Sequence, residues 1–407
     1  MSERTTFILK LLAILAATGL LGFALYFVFF RQEVPQADEV VDEGTQTVGG
    51  LPSSGLGGDR TADNQDGTSQ EDDGRLPPSE VADGGATFTN LLTSSRIVSP
   101  TVTATGAVAY YDPADGRFYT IDTEGNVVEL SRTQFPQAES VVFADNATAA
   151  VIEFPDGSNV IYDFNAAKQV SLPNHWEEFS FTDDGSQVVG KSIGSDESNR
   201  ALIITSTDGS GTEVIASLGN NDEKVDVNVS PSNTIVGFSR TGGVMNAFGR
   251  QEIYLIGLDG EASGVLIVDG SSFSGIWSPD GAHLLYSVAN PSDDYRAALW
   301  YVDSQGDRKG DIRLNIGVKT TVDKCTFAST DTIYCAVPRE MPAGGGSDSS
   351  SIDSYDDVYK ISLPSGRATL IAIPAADTRM YNLRTSDDAG SLYYTDSSGR
   401  LNYIRLK

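Results

Sequence analysis

The chain has 407 residues and a formal net charge of -28, with 28 Lys and Arg residues against 56 Asp and Glu residues. A charge of this sign repels phosphate backbones and anionic lipid headgroups, which argues against nucleic-acid binding and a polybasic membrane-surface role. With 2 His and 2 Cys, the chain has too few ligands for a multi-residue zinc, haem or iron-sulfur site, and we expect no cofactor.

An uncharged apolar segment lies near the N-terminus. Residues 11–30 read LLAILAATGLLGFALYFVFF, and residues 7–9 extend this pattern beyond Lys10. Such a stretch is long enough to cross the bilayer core of about 30 Å. Basic residues precede it and acidic residues follow it, which predicts that the N-terminus lies inside and the rest outside. We therefore predict that residues 1–30 are an uncleaved signal anchor, of which residues 7–30 contact the membrane. A cleaved signal peptide is the alternative.

The next segment, residues 31–84, is rich in Pro, Gly, Ser, Thr, Asp and Glu and has hardly an aromatic residue. Such a composition buries too little apolar area to offset the entropy lost on ordering. We therefore predict an acidic disordered linker that holds the following domain away from the membrane. A disordered segment that binds a partner is the alternative.

From about residue 96 onward, short alternating apolar runs are separated by turn residues, a pattern typical of β-strands. One unit recurs along this region, with an apolar strand, a turn of the S-P-D-G kind and a second, strongly apolar strand. Four strands in each repeat of about 40 to 50 residues predict a β-propeller with seven blades. An eight-bladed propeller or a sandwich is the alternative. The residues that close the seven first turns are Gly106, Asn146, Gly185, Asn233, Gly281, Asp331 and Gly390.

The two ends of this region predict how the ring closes. A second set of turns ends the third strands, at Gly125, Gly209, Gly260, Gly306 and Gly366. The last unit stops after its third strand, whereas the segment ATFTNLL, residues 86–92, precedes the first unit. We predict that residues 86–92 supply the missing fourth strand, so that the propeller comprises residues 85–407 and has no open edge at the joint.

The motif S-P-D-G-x-x-L-x-Y-S is intact from Ser278 to Ser287 and degraded in the other units. It resembles the repeat of TolB-type and tricorn-type WD-like propellers over residues 86–407. The resemblance implies a propeller whose relatives are mostly exported scaffolds. It implies no functional residue, because the motif packs blades and does no chemistry.

Catalytic motifs are not found. The sequence has no G-x-S-x-G nucleophile elbow, and His175 and His283 are interpreted as buried or turn-capping residues. The insertion at 344–357 lacks calcium-loop spacing and is interpreted as a flexible loop, although it carries Asp348, Asp353, Asp356 and Asp357. We therefore predict no catalytic, cofactor-binding or metal-binding residue.

The cysteine pair supports one specific prediction. Cys325 and Cys335 lie on consecutive predicted strands, equidistant from a turn centred on Thr330. Directly opposed positions in a hairpin bring side chains near disulfide range. We predict a disulfide between Cys325 and Cys335 in an oxidising compartment; two buried free thiols are the alternative.

These features predict an extracytoplasmic, membrane-anchored propeller that binds a protein or glycan partner in the cell envelope as a non-catalytic scaffold. The acidic charge favours a basic partner or divalent ions. One alternative is an envelope enzyme that uses propeller-face carboxylates on glycans, and a spacer or sensor head is another. The loops proposed for binding are Asp196 to Arg200, Arg240 to Arg250, Asp293 to Arg296 and Ala343 to Asp357.

Overall fold

The computed structural model describes residues 77–245, 249–304, 306 and 309–407. The predicted membrane segment, 7–30, and the predicted linker up to residue 76 lie outside the described residues. Within the described part of the chain, no helix is long and apolar enough to span a bilayer.

The described residues form seven antiparallel sheets that are the blades of a propeller, which confirms the predicted fold and blade count. Two short N-terminal strands come first, β1 (Ala86–Thr87) and β2 (Asn90–Leu91). Blade 1 is formed by β3 (Val98–Val102), β4 (Val108–Asp112), β5 (Arg117–Ile121) and β6 (Val127–Glu129). Blade 2 is formed by β7 (Ser140–Phe143), β8 (Ala149–Glu153), β9 (Asn159–Asp163) and β10 (Lys168–Leu172). Blade 3 is formed by β11 (Trp176–Phe181), β12 (Gln187–Ser192), β13 (Ala201–Ser206) and β14 (Glu213–Ser217).

The other four blades repeat this order. Blade 4 contains β15 (Val225–Val227), β16 (Ile235–Ser239), β17 (Val244–Met245), β18 (Arg250–Gly257) and β19 (Ala262–Val268). Blade 5 contains β20 (Ser271–Trp277), β21 (His283–Ala289), β22 (Ala297–Asp303) and β23 (Arg313–Asn315). Blade 6 contains β24 (Cys325–Ser329), β25 (Thr332–Pro338), β26 (Asp356–Ser362) and β27 (Arg367–Pro374), and blade 7 contains β28 (Tyr381–Thr385), β29 (Ser391–Thr395) and β30 (Leu401–Arg405).

Strand direction assigns every connection to one of two faces. Because successive strands of a blade are antiparallel, the connection from the second to the third strand lies on the same face as the link to the next blade. We call this side the loop face. The short 3-10 helices found among the described residues all lie in such connections: Glu197–Asn199, Asp222–Lys224, Pro291–Asp293, Val322–Lys324 and Ser349–Ser351.

The hydrophobic core lies between blades rather than in one central layer. Each pair of neighbouring blades shares its own apolar residues. The second strand of each blade is buried on both faces, as in β16 and β21. Between blades 1 and 2, for example, Phe118 packs edge-on against Phe143 with ring centroids 5.6 Å apart. Between blades 4 and 5, Phe238 instead stacks on Trp277 with ring centroids 5.4 Å apart.

The predicted turns are found with small shifts. Gly106, Gly185, Asn233 and Gly281 have positive φ, as expected for residues that close tight turns. In two blades the positive φ falls one residue away from the predicted position, at Ala147 and Ala389. The five glycines predicted to end the third strands all have positive φ, between 63° at Gly306 and 85° at Gly125.

The ring closes through the N-terminal segment, although not with all the residues predicted. β2 pairs with β30 through Asn90 opposite Tyr403 and Leu91 opposite Asn402, and completes blade 7. β1 instead pairs in parallel with β27 and covers the outer edge of blade 6. The expected single strand over residues 86–92 is therefore wrong in its first half, because the chain crosses from one blade edge to the next. Contacts with the propeller begin before residue 85, since the Ala82 amide donates to the Arg405 carbonyl at 2.9 Å.

A Thr93→Val variant tests this closure. Thr93 Oγ1 accepts a hydrogen bond from the Leu401 amide at 2.9 Å, and the side chain is buried. Its loss leaves a buried donor without this acceptor, which should lower the free energy of unfolding by about 1–3 kcal/mol. The measurement is the urea unfolding midpoint followed by tryptophan fluorescence. Thr369→Val, at an exposed position of β27, is the control and should leave the midpoint unchanged; equal midpoints for both variants would contradict the role given to Thr93.

Candidate functional site

The four loops proposed from the sequence come together on the loop face. Each connects the second and third strands of its blade, and the blades are four consecutive ones, 3 to 6. The topology therefore places these loops side by side, which spacing along the sequence did not reveal. Residues 246–248, in the blade 4 loop, lie outside the described residues.

Hydrogen bonds join the loops of blades 5 and 6. The Gly344 amide donates to the Asp294 carbonyl at 2.8 Å, and the Gly346 amide donates to the Tyr295 carbonyl at 2.9 Å. In the other direction, Arg296 Nε donates to the Met341 carbonyl at 3.1 Å. These bonds make the two loops a single surface.

Ion pairs extend this bracing to the neighbouring blades. On one side, Arg200 pairs with Asp222 at 2.9 Å, between the blade 3 loop and the link to blade 4. On the other side, Arg339 pairs with Asp377 at 2.7 Å, between the blade 6 loop and the link to blade 7. Exposed pairs contribute little stability, so their main effect here is to fix loop positions.

The four aspartates of the 344–357 insertion all have structural partners. Asp348 caps a 3-10 helix by accepting from the Ser350 amide at 2.9 Å. Asp353 pairs with Arg379, Asp357 pairs with Arg339 at 2.9 Å, and Asp356 is fully buried against Lys324 at 2.6 Å. The expected flexible loop is thus anchored along its length in this structure.

Two exposed tyrosines stand on the braced loops. Tyr295 is 47% exposed and Tyr355 is 46% exposed, in the loops of blades 5 and 6. Highly exposed carboxylates accompany them, because the side chains of Asp294 and Asp353 are 71% and 87% exposed. Large apolar side chains left in solvent beside charged groups are typical of interaction surfaces. Sequence reasoning missed both tyrosines; an aromatic residue inside a polar loop was the available signal.

A second group of charges lies at the innermost strands of blades 3 and 4. Glu178 on β11 accepts from the Val227 amide at 2.8 Å and pairs with the buried Lys191. Next to it, Asp226 on β15 pairs with Arg240 at 2.8 Å. Burial raises the pKa of Asp226 and the Glu178 carboxylate raises it further, whereas Arg240 and Lys191 lower it. Two neighbouring carboxylates, one of them with a raised pKa, are the minimum for acid and base chemistry.

A third group lies at the opposite end of the innermost strands. Asp145 is in the first turn of blade 2, and Arg384 is on β28. Both side chains have surface that water can reach, but protein atoms are dense around them. Burial raises the pKa of Asp145, and Asp183 adds to the rise while Arg384 opposes it. Burial lowers the pKa of Arg384. This combination is expected for side chains inside the channel of a propeller.

One of the two histidines, His175, differs from the interpretation made from the sequence, whereas His283 is half-buried beside the first turn of blade 5. His175 is exposed rather than buried. Its backbone carbonyl accepts a hydrogen bond from the Ile193 amide at 2.7 Å. His283 stacks on Tyr301 with ring centroids 5.0 Å apart. Its Nε2 lies 2.9 Å from Oδ1 of the buried Asp303, although the two atoms are not aligned for a hydrogen bond. This partner lies directly opposite His283 on the neighbouring strand β22, and it could not be identified from the sequence.

Cys325 and Cys335 are directly opposed on β24 and β25. Their sulfurs are bonded in this structure, with Cα atoms 4.1 Å apart, and both residues are buried between blades 5 and 6. Among the described residues, no group of three or more His, Cys, Asp or Glu side chains is arranged to hold a metal ion.

Comparison with solved structures finds propellers. The structure of oligogalacturonate lyase from Vibrio parahaemolyticus has a TM-score of 0.55 at 11% identity, covering 80% of this chain and 99% of that one. The β-propeller domain of Cps50 (Swd1) from Myceliophteria thermophila has a TM-score of 0.53 at 12% identity, covering 79% of this chain and 100% of that one. The tricorn protease has a TM-score of 0.50 at 10% identity, covering 78% of this chain and 34% of that one. No family model matches the chain, and no curated protein matches it. Identities this low show a shared fold alone.

Thiol labelling tests the cysteine pair. If Cys325 and Cys335 are bonded in the native protein, the unfolded, unreduced full-length chain should react with no maleimide, and the reduced chain should react at both residues. A Cys325→Ser, Cys335→Ser double variant should lose about 2–3 kcal/mol of unfolding free energy, since a short cross-linked loop restrains the unfolded chain. Labelling at both residues before reduction would show that they are free thiols.

Proposed function

We propose that this protein is a membrane-anchored, extracytoplasmic binding scaffold that engages a basic protein partner through the loop face of blades 3 to 6. The apolar segment at residues 7–30 and the acidic linker support the location.

One observation carries the proposal, namely two exposed tyrosines on mutually braced loops. The Gly344 and Gly346 bonds to blade 5 hold the loop of blade 6 next to Tyr295, so little conformational entropy is lost when a partner binds. Tyrosine rings provide a large contact area and attract Lys and Arg side chains. Asp294 and Asp353 beside them favour a partner of positive charge.

Site-specific photo-crosslinking tests the proposal in native membranes. The photoreactive residue p-benzoylphenylalanine replaces Tyr295 or Tyr355 in the full-length chain, and in a control it replaces Glu124, which is exposed on the opposite face. We expect the same adduct from both loop positions and none from Glu124. Its yield should fall as salt rises, because charge attraction is screened.

A matched pair of variants completes this experiment. Tyr295→Ala with Tyr355→Ala should remove at least about nine tenths of the complex, since losing two interface aromatics costs several kcal/mol. Val127→Ala with Val128→Ala removes equally exposed apolar side chains from the outer edge of blade 1 and should have no effect. An adduct that forms equally at Glu124, or survives the tyrosine double variant, would contradict the proposal.

The second candidate function is cleavage of an envelope glycan by the inner carboxylates. It is favoured by the pair Glu178 and Asp226, because the raised pKa of Asp226 suits a general acid beside a second carboxyl group. The likeness to an oligogalacturonate lyase adds weak support, since the shared feature is the fold.

Turnover measurements distinguish the two candidates. If the inner carboxylates are catalytic, the full-length chain should release new reducing ends from a cell-envelope or surface polysaccharide. Glu178→Gln and Asp226→Asn should each lower this rate by about a hundredfold or more, in line with the loss of acid or base catalysis. Glu139→Gln, an exposed acid elsewhere on blade 2, should keep the full rate. Absence of turnover, or turnover that survives both inner variants, would exclude this role for the pair.

A further inference from the structure

A cavity on the loop face remains outside both candidate functions. It has a volume of about 430 Å³ and lies where blade 7 meets blade 1, away from the loops of blades 3 to 5. Its lining includes two guanidinium groups, a tyrosine, an amide and two serines, contributed by Arg96, Arg379, Tyr381, Asn382, Ser397 and Ser398. A volume of this size suits a small molecule.

The Arg96 guanidinium is a donor group without a partner. Arg96 is exposed, and within the described residues its guanidinium takes part in no hydrogen bond or ion pair. By contrast, most of the other arginines on the loop face pair with a carboxylate, as Arg339 and Arg400 do. In a chain with a net charge of -28, an unpaired guanidinium that faces a cavity is unusual.

Closure of the ring holds Arg96 in place. The residues on either side of Arg96 are bound to blade 7, since the Leu401 amide donates to Thr93 Oγ1 at 2.9 Å and the Ile97 amide donates to the Gly399 carbonyl at 2.9 Å. The aliphatic stem of Arg96 lies on Gly399, so closely that a Cβ at Gly399 would come within 2.7 Å of Arg96 Cγ. The backbone and the first part of the side chain are therefore positioned before a ligand binds, which reduces the entropy lost on binding.

The other groups around the cavity leave its hydrogen-bond donors available to a ligand. Asp396 is the carboxylate of the lining, but its oxygens already accept from the Ser398 amide at 2.9 Å and from Arg400 Nε at 2.9 Å. The hydroxyls of Ser397 and Ser398 lie exposed at the rim. Arg379 forms an ion pair with Asp353, whose side chain is 87% exposed at the end of the blade 6 loop. The cavity thus offers N–H and O–H donors to an acceptor of negative charge.

We propose that this cavity binds a small oxyanion, a carboxylate or phosphate group, through the Arg96 guanidinium, with Arg379 as the second cation. Guanidinium groups bind such oxygens through paired, charge-assisted hydrogen bonds. Adjacent hydroxyls suit an anion that also carries hydroxyl groups. The inference goes beyond the proposed scaffold function and does not depend on it, since the tyrosine loops contribute no lining residue.

Calorimetric titration of the purified full-length chain tests the cavity with three probes. Inorganic phosphate and gluconate supply the two kinds of oxyanion, and sorbitol is a neutral polyol of the same carbon number as gluconate. At constant ionic strength we expect millimolar binding of at least one of the two anions and none of sorbitol. Binding of one anion only would identify the oxyanion recognised. If neither anion binds, or if sorbitol binds as well as gluconate, the proposal is wrong.

Three variants connect the binding to the two arginines. Arg96→Gln should weaken anion binding by about tenfold or more, because it removes the charge and the paired donors. Arg132→Gln removes an exposed arginine from the region between blades 1 and 2 and should leave binding unchanged. Asp353→Asn should strengthen binding, since it frees Arg379 and removes a negative charge from the rim.

The variants also separate binding from folding. Arg96 and Asp353 are exposed, so the melting temperature without anion should match that of the original chain. Anion should then raise the melting temperature of the original chain and of Asp353→Asn more than that of Arg96→Gln. Equal stabilisation of Arg96→Gln and the original chain would overturn the assignment.

Discussion

The structure depends on the closure of a ring by strand pairing between residues that are far apart in sequence. β2 and β30 are separated by about three hundred residues, and their short ladder joins blade 7 to blade 1. In an open arc the two terminal blades would each leave one apolar face exposed, because every cluster of the core is shared by two blades. Closure buries both faces together, and β1 covers an additional strand edge on blade 6.

Polar contacts between innermost strands make this ring rigid. Ser99 Oγ donates to the Val141 carbonyl at 2.6 Å, the Val229 amide donates to Ser180 Oγ at 3.2 Å, and Thr385 Oγ1 donates to the Phe327 carbonyl at 3.0 Å. The turns opposite the loop face also pack on their neighbours, since a Cβ at Gly281 would lie 2.7 Å from the Ser232 amide nitrogen. The longest connection between two strands of one blade, residues 339–355 in blade 6, lies on the loop face.

The sequence predicts most of the fold and little of the candidate site. Blade count, turn positions and the opposition of Cys325 and Cys335 follow from local patterns, because a strand alternates with period two and a tight turn needs particular residues. The long loops were also identified. Their gathering on one face depends on contacts between blades, whereas the pairing of Glu178 with Lys191 and of His283 with Asp303 depends on the exact register of neighbouring strands. Because the chain has 56 acidic residues, the sequence alone does not show which few of them lie on the innermost strands.

The buried pair of Lys324 and Asp356 connects the ring to its loops. Asp356 ends the long insertion of blade 6, and its Oδ2 accepts from Lys324 Nζ at 2.6 Å and from the Met380 amide of the link to blade 7 at 2.7 Å. Burial raises the pKa of Asp356, whereas Lys324 and the Met380 amide lower it, so placing this carboxyl group in the interior has an energetic cost. Buried pairs seldom add stability over apolar side chains, but they fix a unique geometry. Here that geometry sets the position of the insertion relative to blade 7, and thus places Asp353 next to Arg379 and the cavity that contains Arg96.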